Sequence, residues 1–335
     1  VKARVKAHAL KEFMNTKEKV VVMGHRLPDA DSFGAAIGIY RAAKTLNKKA
    51  YIVIDNPTSS IIPLMNTFRD NQDYEADMFV NNHEAKEIMD DNTLLVVVDT
   101  NKPSITQCED LLYMAKMIVV LDHHRQGSDT IRNSVLSYIE PYASSASEMV
   151  AEILQYFTEG IRIRNVEADS IYAGIMIDTD NFMQKTGVRT FEAAAFLRRC
   201  GADVTRVRKL FREDMNDYKA RGETIRNAEL FRGQFAISEC PSDYVDSPTV
   251  VGAQAANELL NIVGVKASFV LTEYKGVIYI SARAIDEVNV QIIMERLGGG
   301  GHMNASGAQF NHTDMDEAVA CLKQVIDEMI EGGDL

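Results

Sequence analysis

The sequence predicts an α/β protein: a doubly wound, mostly parallel sheet, with a second, smaller α+β domain across a cleft. Three observations carry this expectation. Four short apolar runs, Lys19–Met23 (KVVVM), Ala50–Ile54 (AYIVI), Thr93–Val98 (TLLVVV) and Met117–Leu121 (MIVVL), are continuous rather than alternating, as strands buried on both faces are. Helical stretches at Ser32–Leu46 and Asn82–Met89 lie between such runs, and β and α alternating in this way build a doubly wound sheet. Near Phe231 the pattern changes, and 335 residues are more than one compact core of usual size requires.

Residues 1–15 place Val5, Leu10 and Phe13 among Lys2, Arg4, Lys6 and Lys11, an amphipathic helix whose basic face suits solvent better than a membrane surface. The parallel-sheet strands follow, and from Ser144 to Asn227 the chain reads as mostly helical, with Ser145 and Glu148 at capping-box spacing. The expected domains are 1–215, a helical linker at 216–230 poor in apolar residues, and 231–335. The last of these runs as a strand (Gln234–Ser238) and a helix (Thr249–Ile262). Two strands then flank a Lys275-Gly276 turn, Ala267–Tyr274 and Val277–Ala284. A short helix (Val290–Leu297), a glycine run, a strand (Gly307–Phe310) and a helix from Asp314 complete it.

Composition narrows the function. Lys+Arg number 36 against 48 Asp+Glu, a net charge of −12, which argues against a long nucleic acid and for a small anionic ligand helped by metal cations. With 46% hydrophobic and 25% charged residues, long disorder is excluded. Four scattered cysteines without a CxxC give neither a disulfide framework nor a thiolate zinc site, and imply a reducing compartment. No apolar run approaches the ~20 residues that span a bilayer, and no signal peptide precedes the first strand. The first residue is Val, so the chain is expected to be a fragment whose upstream part could hold a membrane anchor.

Chemistry gathers at the strand ends. His25-Arg26-Leu27-Pro28-Asp29-Ala30-Asp31-Ser32 follows the first strand, where open α/β sheets place their ligands. Imidazole and carboxylate suit Mn²⁺, Mg²⁺ or Fe²⁺, although a polar turn capping the helix from Ser32 explains this loop equally well. The next strands end in Asp99-Thr100 and in Asp122-His123-His124-Arg125, and three coincident polar strand ends are hard to explain as turns. On the helix Val166–Ile177, Ile171, Gly174, Ile175 and Asp178 share one face. The carboxylate then sits on a face suited to burial, where it needs a cation or a proton, or else it is a helix-end residue. Asp180, two residues on, is a decoy for the same role. Near the C-terminus, the glycine run 298–301 can form an anion nest. Ser281 and Arg283 share a strand face on which an arginine fork suits phosphate, with a surface salt bridge the equal alternative for Arg283.

Together H-x-x-P-D-x-D-S, V-V-D-T, D-H-H, G-I-M-I-D-T and the tail Leu297-Gly-Gly-Gly-Gly-His302-Met-Asn-Ala-Ser-Gly307 resemble the DHH phosphoesterase family with its DHH-associated domain, over nearly the whole chain. Within it the sequence is similar to the C-terminal catalytic portion of GdpP-type (YybT-type) cyclic-di-AMP phosphodiesterases, whose membrane helices, PAS-like and degenerate GGDEF domains are not in this sequence. The resemblance implies two Mn²⁺ per chain, with Mg²⁺, Co²⁺ or Fe²⁺ as alternatives. His25, Asp29 and Asp99 would hold the first; Asp31, Asp99, His123 and Asp178 the second, with Asp99 bridging. Asp122 would orient, and His124 and Arg283 would be the catalytic side chains facing the phosphate. Ser281, Arg283, Gly299, Gly300, Gly301, His302, Asn304 and Ser306 would bind the nucleotide.

The implied reaction is hydrolysis of cyclic di-AMP to linear 5′-pApA by a metal-bridging hydroxide attacking phosphorus. The implied place is the cytoplasmic face of the membrane, reached only through absent upstream segments, this stretch itself being soluble; a homodimer is compatible with it. Competing readings are an oligoribonuclease acting on linear dinucleotides and a sensor that binds cyclic dinucleotides without cleaving them. A sensor would be expected to lack a metal-ligand residue, and none is substituted. A pyrophosphatase is disfavoured, because its tail motif would be rich in Lys and Arg.

Overall fold

A computed structural model describes residues 2–285 and 288–335, so Val1, the expected start of the first helix, lies outside them. The chain divides into two compact units, Val1–Arg212 and Glu213–Leu335.

The first unit opens with α1 (Lys2–Asn15), whose Ala3, Ala7, Leu10 and Met14 are buried while its basic residues stay at the surface. Next come β1 (Lys19–Met23), α2 (Ala30–Thr45), β2 (Lys49–Val53), α3 (Ile62–Arg69), β3 (Phe79–Val80), α4 (Asn82–Ile88) and β4 (Thr93–Val98). Then α5 (Asp110–Met114), β5 (Met117–Asp122), β6 (Leu136–Ile139), α6 (Ala146–Phe157), α7 (Asn165–Asp178), α8 (Val188–Arg199) and α9 (Val204–Leu210) complete it. The six strands are all parallel, in the order β3-β2-β1-β4-β5-β6. Both faces are covered, which is why the strands read as unbroken apolar runs: Leu94, Val96 and Val98 join one core with α2, α6 and α7, while Leu95 and Val97 join another with α4 and α5.

This order reverses direction between β1 and β4, and at such a switch point the loops after the two strands part to leave a crevice. The register aligns their carboxyl ends, Met23 opposite Val97, so the residues leaving β1 and β4 emerge side by side. At the start of α6 the expected capping box is half formed. Ser145 Oγ accepts from the Glu148 N–H at 3.0 Å, but the Glu148 carboxylate reaches back to Ser144, accepting from its N–H at 2.8 Å, and across to the Thr190 hydroxyl at 2.9 Å.

The second unit begins with α10 (Met215–Arg226) and β7 (Glu229–Phe231), so the stretch read as a linker folds as part of this unit. β8 (Phe235–Cys240), α11 (Pro248–Leu259), β9 (Ala267–Tyr274), β10 (Val277–Ala284), α12 (Val290–Arg296), β11 (Gly300–His302), β12 (Ala305–Asn311) and α13 (Met315–Gly332) follow. The sheet runs β11-β12-β10-β9-β8-β7 and is mixed, β8 and β9 being its parallel pair. Lys275 and Gly276 both take positive φ, 50° and 76°, the mirror-image turn that matches strand twist in a two-residue hairpin. α12 and α13 cover one face and α10 and α11 the other. Among the described residues no helix is long and apolar enough to cross a membrane.

Candidate metal centre

Each side chain of the centre is set by the element it terminates. His25 follows β1 by two residues, held by a bridge to Thr106. Asp29 is the N-cap of α2, and its two oxygens divide: Oδ1 accepts from the Ser32 N–H at 2.9 Å, and Oδ2 faces His25 Nε2 at 3.4 Å. The two sequence readings of this loop, helix cap and ligand, are therefore compatible in one carboxylate. Asp31, in the first turn of α2, is 1% exposed and accepts from the N–H groups of Ala146 and Ser147 at 2.7 Å each. Those donors are unpaired backbone groups at the start of α6, where a carboxylate is favoured.

Asp99 lies at the centre of the cluster. It leaves β4 with φ +60°, a left-handed conformation that costs a non-glycine residue about 1–2 kcal/mol and turns the carboxylate into the crevice. It is 2% exposed. Its Oδ2 lies 3.2 Å from His25 Nε2, and its Oδ1 lies 3.3 Å from His123 Nε2 and 3.7 Å from His124 Nδ1. Oδ1 is fully buried, yet it accepts no hydrogen bond from these neighbours. A buried carboxylate oxygen left in this way is strongly unfavourable unless a cation meets it.

His123 Nε2 also approaches Oδ2 of Asp31 and Oδ2 of Asp178, at 3.6 Å each. Asp178 is the last residue of α7. Three groups thus bring ligand atoms within 4.8 Å of one another: His25 with Asp29 and Asp99, Asp31 with His123 and Asp178, and Asp99 with His123 and His124. The decoy, Asp180, stands apart in the loop after α7, where its carboxylate accepts from the Gln184 side-chain amide at 3.4 Å.

The electrostatics fit a cation site. Burial alone would lower the His25 pKa, but its hydrogen bonds to Asp29 and Asp99 raise it to about 10. Burial, then the charges of Asp99, Asp178 and Asp29, pushes Asp31 well above the usual carboxylate range. Burial and the Asp99 charge raise Asp178 to about 6. Four carboxylates crowd one pocket with too little positive charge, and imidazole plus carboxylate is the donor set for Mn²⁺, Mg²⁺ or Fe²⁺.

Asp122 belongs to none of the three groups. It is fully buried, its Oδ1 bonded to His124 Nδ1 at 2.7 Å and its Oδ2 to the Asn101 side-chain amide at 2.6 Å. The Asp122 hydrogen bond raises the His124 pKa and leaves Nε2 as the outward nitrogen of a side chain 56% exposed. Asn101 and the Ala146–Ser147 amides escaped sequence reasoning. An asparagine two residues past a strand reads as a turn, and backbone donors leave no mark in a sequence.

In the second unit, β10 alternates between half-buried and buried residues, which puts Ser281 and Arg283 on the same, more open face. The Arg283 guanidinium donates to its neighbour's carbonyl, Ala282 O, at 2.9 Å and has no carboxylate partner among the described residues; burial pushes its pKa down. The glycine run is not an open loop, because Gly300–His302 pairs with β12 and the N–H groups of Gly298 and Gly299 bond to Glu295 and Met294. A Cβ on Gly301, whose φ is +145°, would lie 2.7 Å from both Ala305 O and Ser306 Cα, whereas one on Gly300 would meet open space. Gly298, Gly299 and Gly301 thus serve the turn and the strand pairing, and among those lying against the sheet Gly300, paired with Gly307, is the one whose Cβ side is open. Ser306 is turned inward, its hydroxyl donating to His302 O at 2.6 Å, while the His302 and Asn304 side chains are exposed.

The family model for the DHH family, N-terminal domain, matches residues 19–175, and that for the DHHA1 domain matches 235–328. The chain is 43% identical to the cyclic-di-AMP phosphodiesterase GdpP of Bacillus subtilis, over 99% of this chain and 51% of that protein. It is 38% identical to the cyclic-di-AMP phosphodiesterase PdeA of Listeria monocytogenes, over 99% and 51%. The chain therefore spans about half the length of these curated relatives. It is 26% identical to the bifunctional oligoribonuclease and PAP phosphatase NrnA of Thermus thermophilus, over 99% of this chain and 96% of that one. Among solved structures, an exopolyphosphatase-related protein from Bacteroides fragilis superposes with a TM-score of 0.80 at 21% identity, covering 97% of this chain and 96% of the other. Exonuclease RecJ bound to manganese does so at 0.52 and 14%, covering 96% and 93%.

Proposed function

The chain belongs to the DHH family, and from that premise we propose that it is a two-metal phosphodiesterase that hydrolyses cyclic di-AMP to linear 5′-pApA. The observation that supports it most is Asp99, a buried carboxylate that faces His25 with one oxygen and His123 with the other, the second of these unbonded. The relatives at 43% and 38% identity, both named as cyclic-di-AMP phosphodiesterases, support this choice of substrate. His25, Asp29 and Asp99 would hold one cation, and Asp99, Asp31, His123 and Asp178 the other. When bound, the cations supply Lewis acidity and a water acidic enough to act as nucleophile near neutral pH.

The chain's own residues do the rest. Asp122 fixes the His124 ring through Nδ1, so Nε2 faces the scissile phosphate and gives a proton to the departing 3′-oxygen as the P–O3′ bond breaks and the new P–O bond forms. The 5′-phosphate stays on the product, which is the linear dinucleotide. Arg283 offers a guanidinium with no carboxylate partner among the described residues, suited to the non-bridging phosphate oxygens. His302, Asn304 and the open side of Gly300 accompany it in recognising the nucleotide.

A linear-dinucleotide nuclease is the second reading, favoured by the match to nearly the full length of NrnA. The test is a product-resolved assay of Mn²⁺-loaded protein on cyclic di-AMP, pApA and short linear RNA. Conversion of cyclic di-AMP to pApA as the fastest reaction is expected. Cleavage of linear substrates alone would favour the second reading, and tight binding without turnover would leave a sensor.

A further inference from the structure

We infer that Asn101 is a positioning residue: by holding Asp122 it keeps His124 turned toward substrate and out of the metal centre. The inference rests on the phosphodiesterase reading and deepens it.

Asn101 is 2% exposed and sits two residues past Asp99, so it is carried to the same sheet edge. Its amide donates to Asp122 Oδ2 at 2.6 Å and to the His124 carbonyl at 3.3 Å. Its backbone carbonyl accepts from the Ile131 N–H at 2.9 Å, which ties down the far end of the loop that begins at His124. Asp122, wholly buried, thus has one oxygen occupied by Asn101 and the other by the His124 backbone N–H at 3.2 Å and ring Nδ1 at 2.7 Å.

His124 Nδ1 has a second candidate partner. Asp99 Oδ1 is 3.7 Å away, and Asp99, His123 and His124 form one of the three groups able to hold a metal. The two uses of this nitrogen are exclusive. Bonded to Asp122, it leaves Nε2 for the substrate; turned toward Asp99, it becomes a ligand and the ring is withdrawn from the reaction. What decides is how firmly Asp122 is fixed. A buried carboxylate whose second oxygen loses its donor must turn to seek another, and His124 is released with it.

The test compares Asn101→Leu, close to isosteric but without donors, and the milder Asn101→Ser with the parent protein. ¹⁵N NMR of histidine-labelled, Mg²⁺-loaded protein reads the His124 ring directly. The parent should show a proton on Nδ1 and an Nε2 that is not coordinated, and both variants a coordinated or exchanging Nδ1. With Mn²⁺, kcat should fall by about 10²-fold, the effect of misplacing a reacting group by an ångström, while KM and metal stoichiometry hold within about twofold. In a His124→Ala background, Asn101→Leu should cost nothing further. An unchanged His124 signature in the variants, a lost metal equivalent, or a full additional loss in the double variant would overturn the inference. An inactive parent protein would count against the phosphodiesterase reading instead, and the NMR comparison would still decide the role of Asn101.

Discussion

Replacing Gly34 with alanine probes how helix spacing sets the metal centre. α2 begins with Asp29 and Asp31, and α7, which crosses it, ends at Asp178. A Cβ on Gly34 would lie 2.5 Å from Ser170 O, 2.7 Å from Ser147 Oγ and 3.0 Å from Ile171 Cα. Against a relaxed contact of about 3.5 Å, the shortfall is close to 1 Å. Ser147 Oγ can rotate away, at the expense of its 3.0 Å bond to Asp31 O, but the Ser170 and Ile171 atoms are α7 backbone and the helices must part. Alanine is favoured over glycine in a helix by about 1 kcal/mol, whereas overpacking costs about 1–3 kcal/mol, so with the clash here against rigid backbone a net loss approaching ~2 kcal/mol is expected.

The effect on the centre should exceed the effect on stability. Asp31 and Asp178 each stand 3.6 Å from His123 Nε2, and metal sites tolerate ligand displacements of only about 0.2 Å. A cation at the proposed site of Asp31, His123 and Asp178 should therefore bind more weakly, while the group built on His25 and Asp99 at the ends of β1 and β4 is disturbed less. Gly222→Ala, in α10 of the second unit, is the control for the substitution itself, because a Cβ there would meet nothing within 4 Å. Mn²⁺ titration calorimetry on stripped protein, with thermal unfolding alongside, reads both effects. If Gly34→Ala melts with the parent and binds both cations as tightly, helix spacing does not set this site.

His124→Ala should keep both metals and lose about 10²–10⁴ in kcat, the span of a proton-transfer role; a lost metal equivalent by elemental analysis would mean that His124 is a ligand. Glu167 is fully buried, accepting from Arg41 Nε at 2.8 Å, Tyr74 Oη at 2.9 Å and the Arg164 N–H at 3.0 Å. Glu167→Ala strands the Arg41 guanidinium and should destabilise the first unit by about 3–5 kcal/mol in urea unfolding; a change below about 1 kcal/mol would show that water replaces the carboxylate. Gly300→Val should raise KM for dinucleotides with metal content unchanged, and unaltered binding would remove Gly300 from the nucleotide site.

The parallel sheet was legible because its strands are buried on both faces and so spell continuous apolar runs. β3, two residues long, and β6, an edge strand whose LSYI alternates, offered no such run. The proposed ligands were legible because strand ends in such sheets carry chemistry, and the hairpin because Lys-Gly occupies both left-handed positions of its turn. Three kinds of information stayed hidden. Asp31 is held by backbone amides of a helix more than a hundred residues away. Asn101 acts through a carboxylate brought beside it by strand pairing. The glycine run suggested a nest of N–H groups, but pairing with β12 depends on Gly307 and Ala308 presenting close backbone opposite it, which no local pattern reveals.

The central claim, that two cations around Asp99 make this chain a cyclic di-AMP phosphodiesterase, is tested most directly by one titration. Metal-stripped protein receives Mn²⁺ in steps, and bound metal and pApA release from cyclic di-AMP are measured on the same samples. Turnover is expected to be absent without metal and to rise with the second equivalent bound, and Asp99→Ala should abolish it across the whole titration. Full turnover in excess chelator with no residual metal, or two cations bound and cyclic di-AMP left intact, would contradict the account.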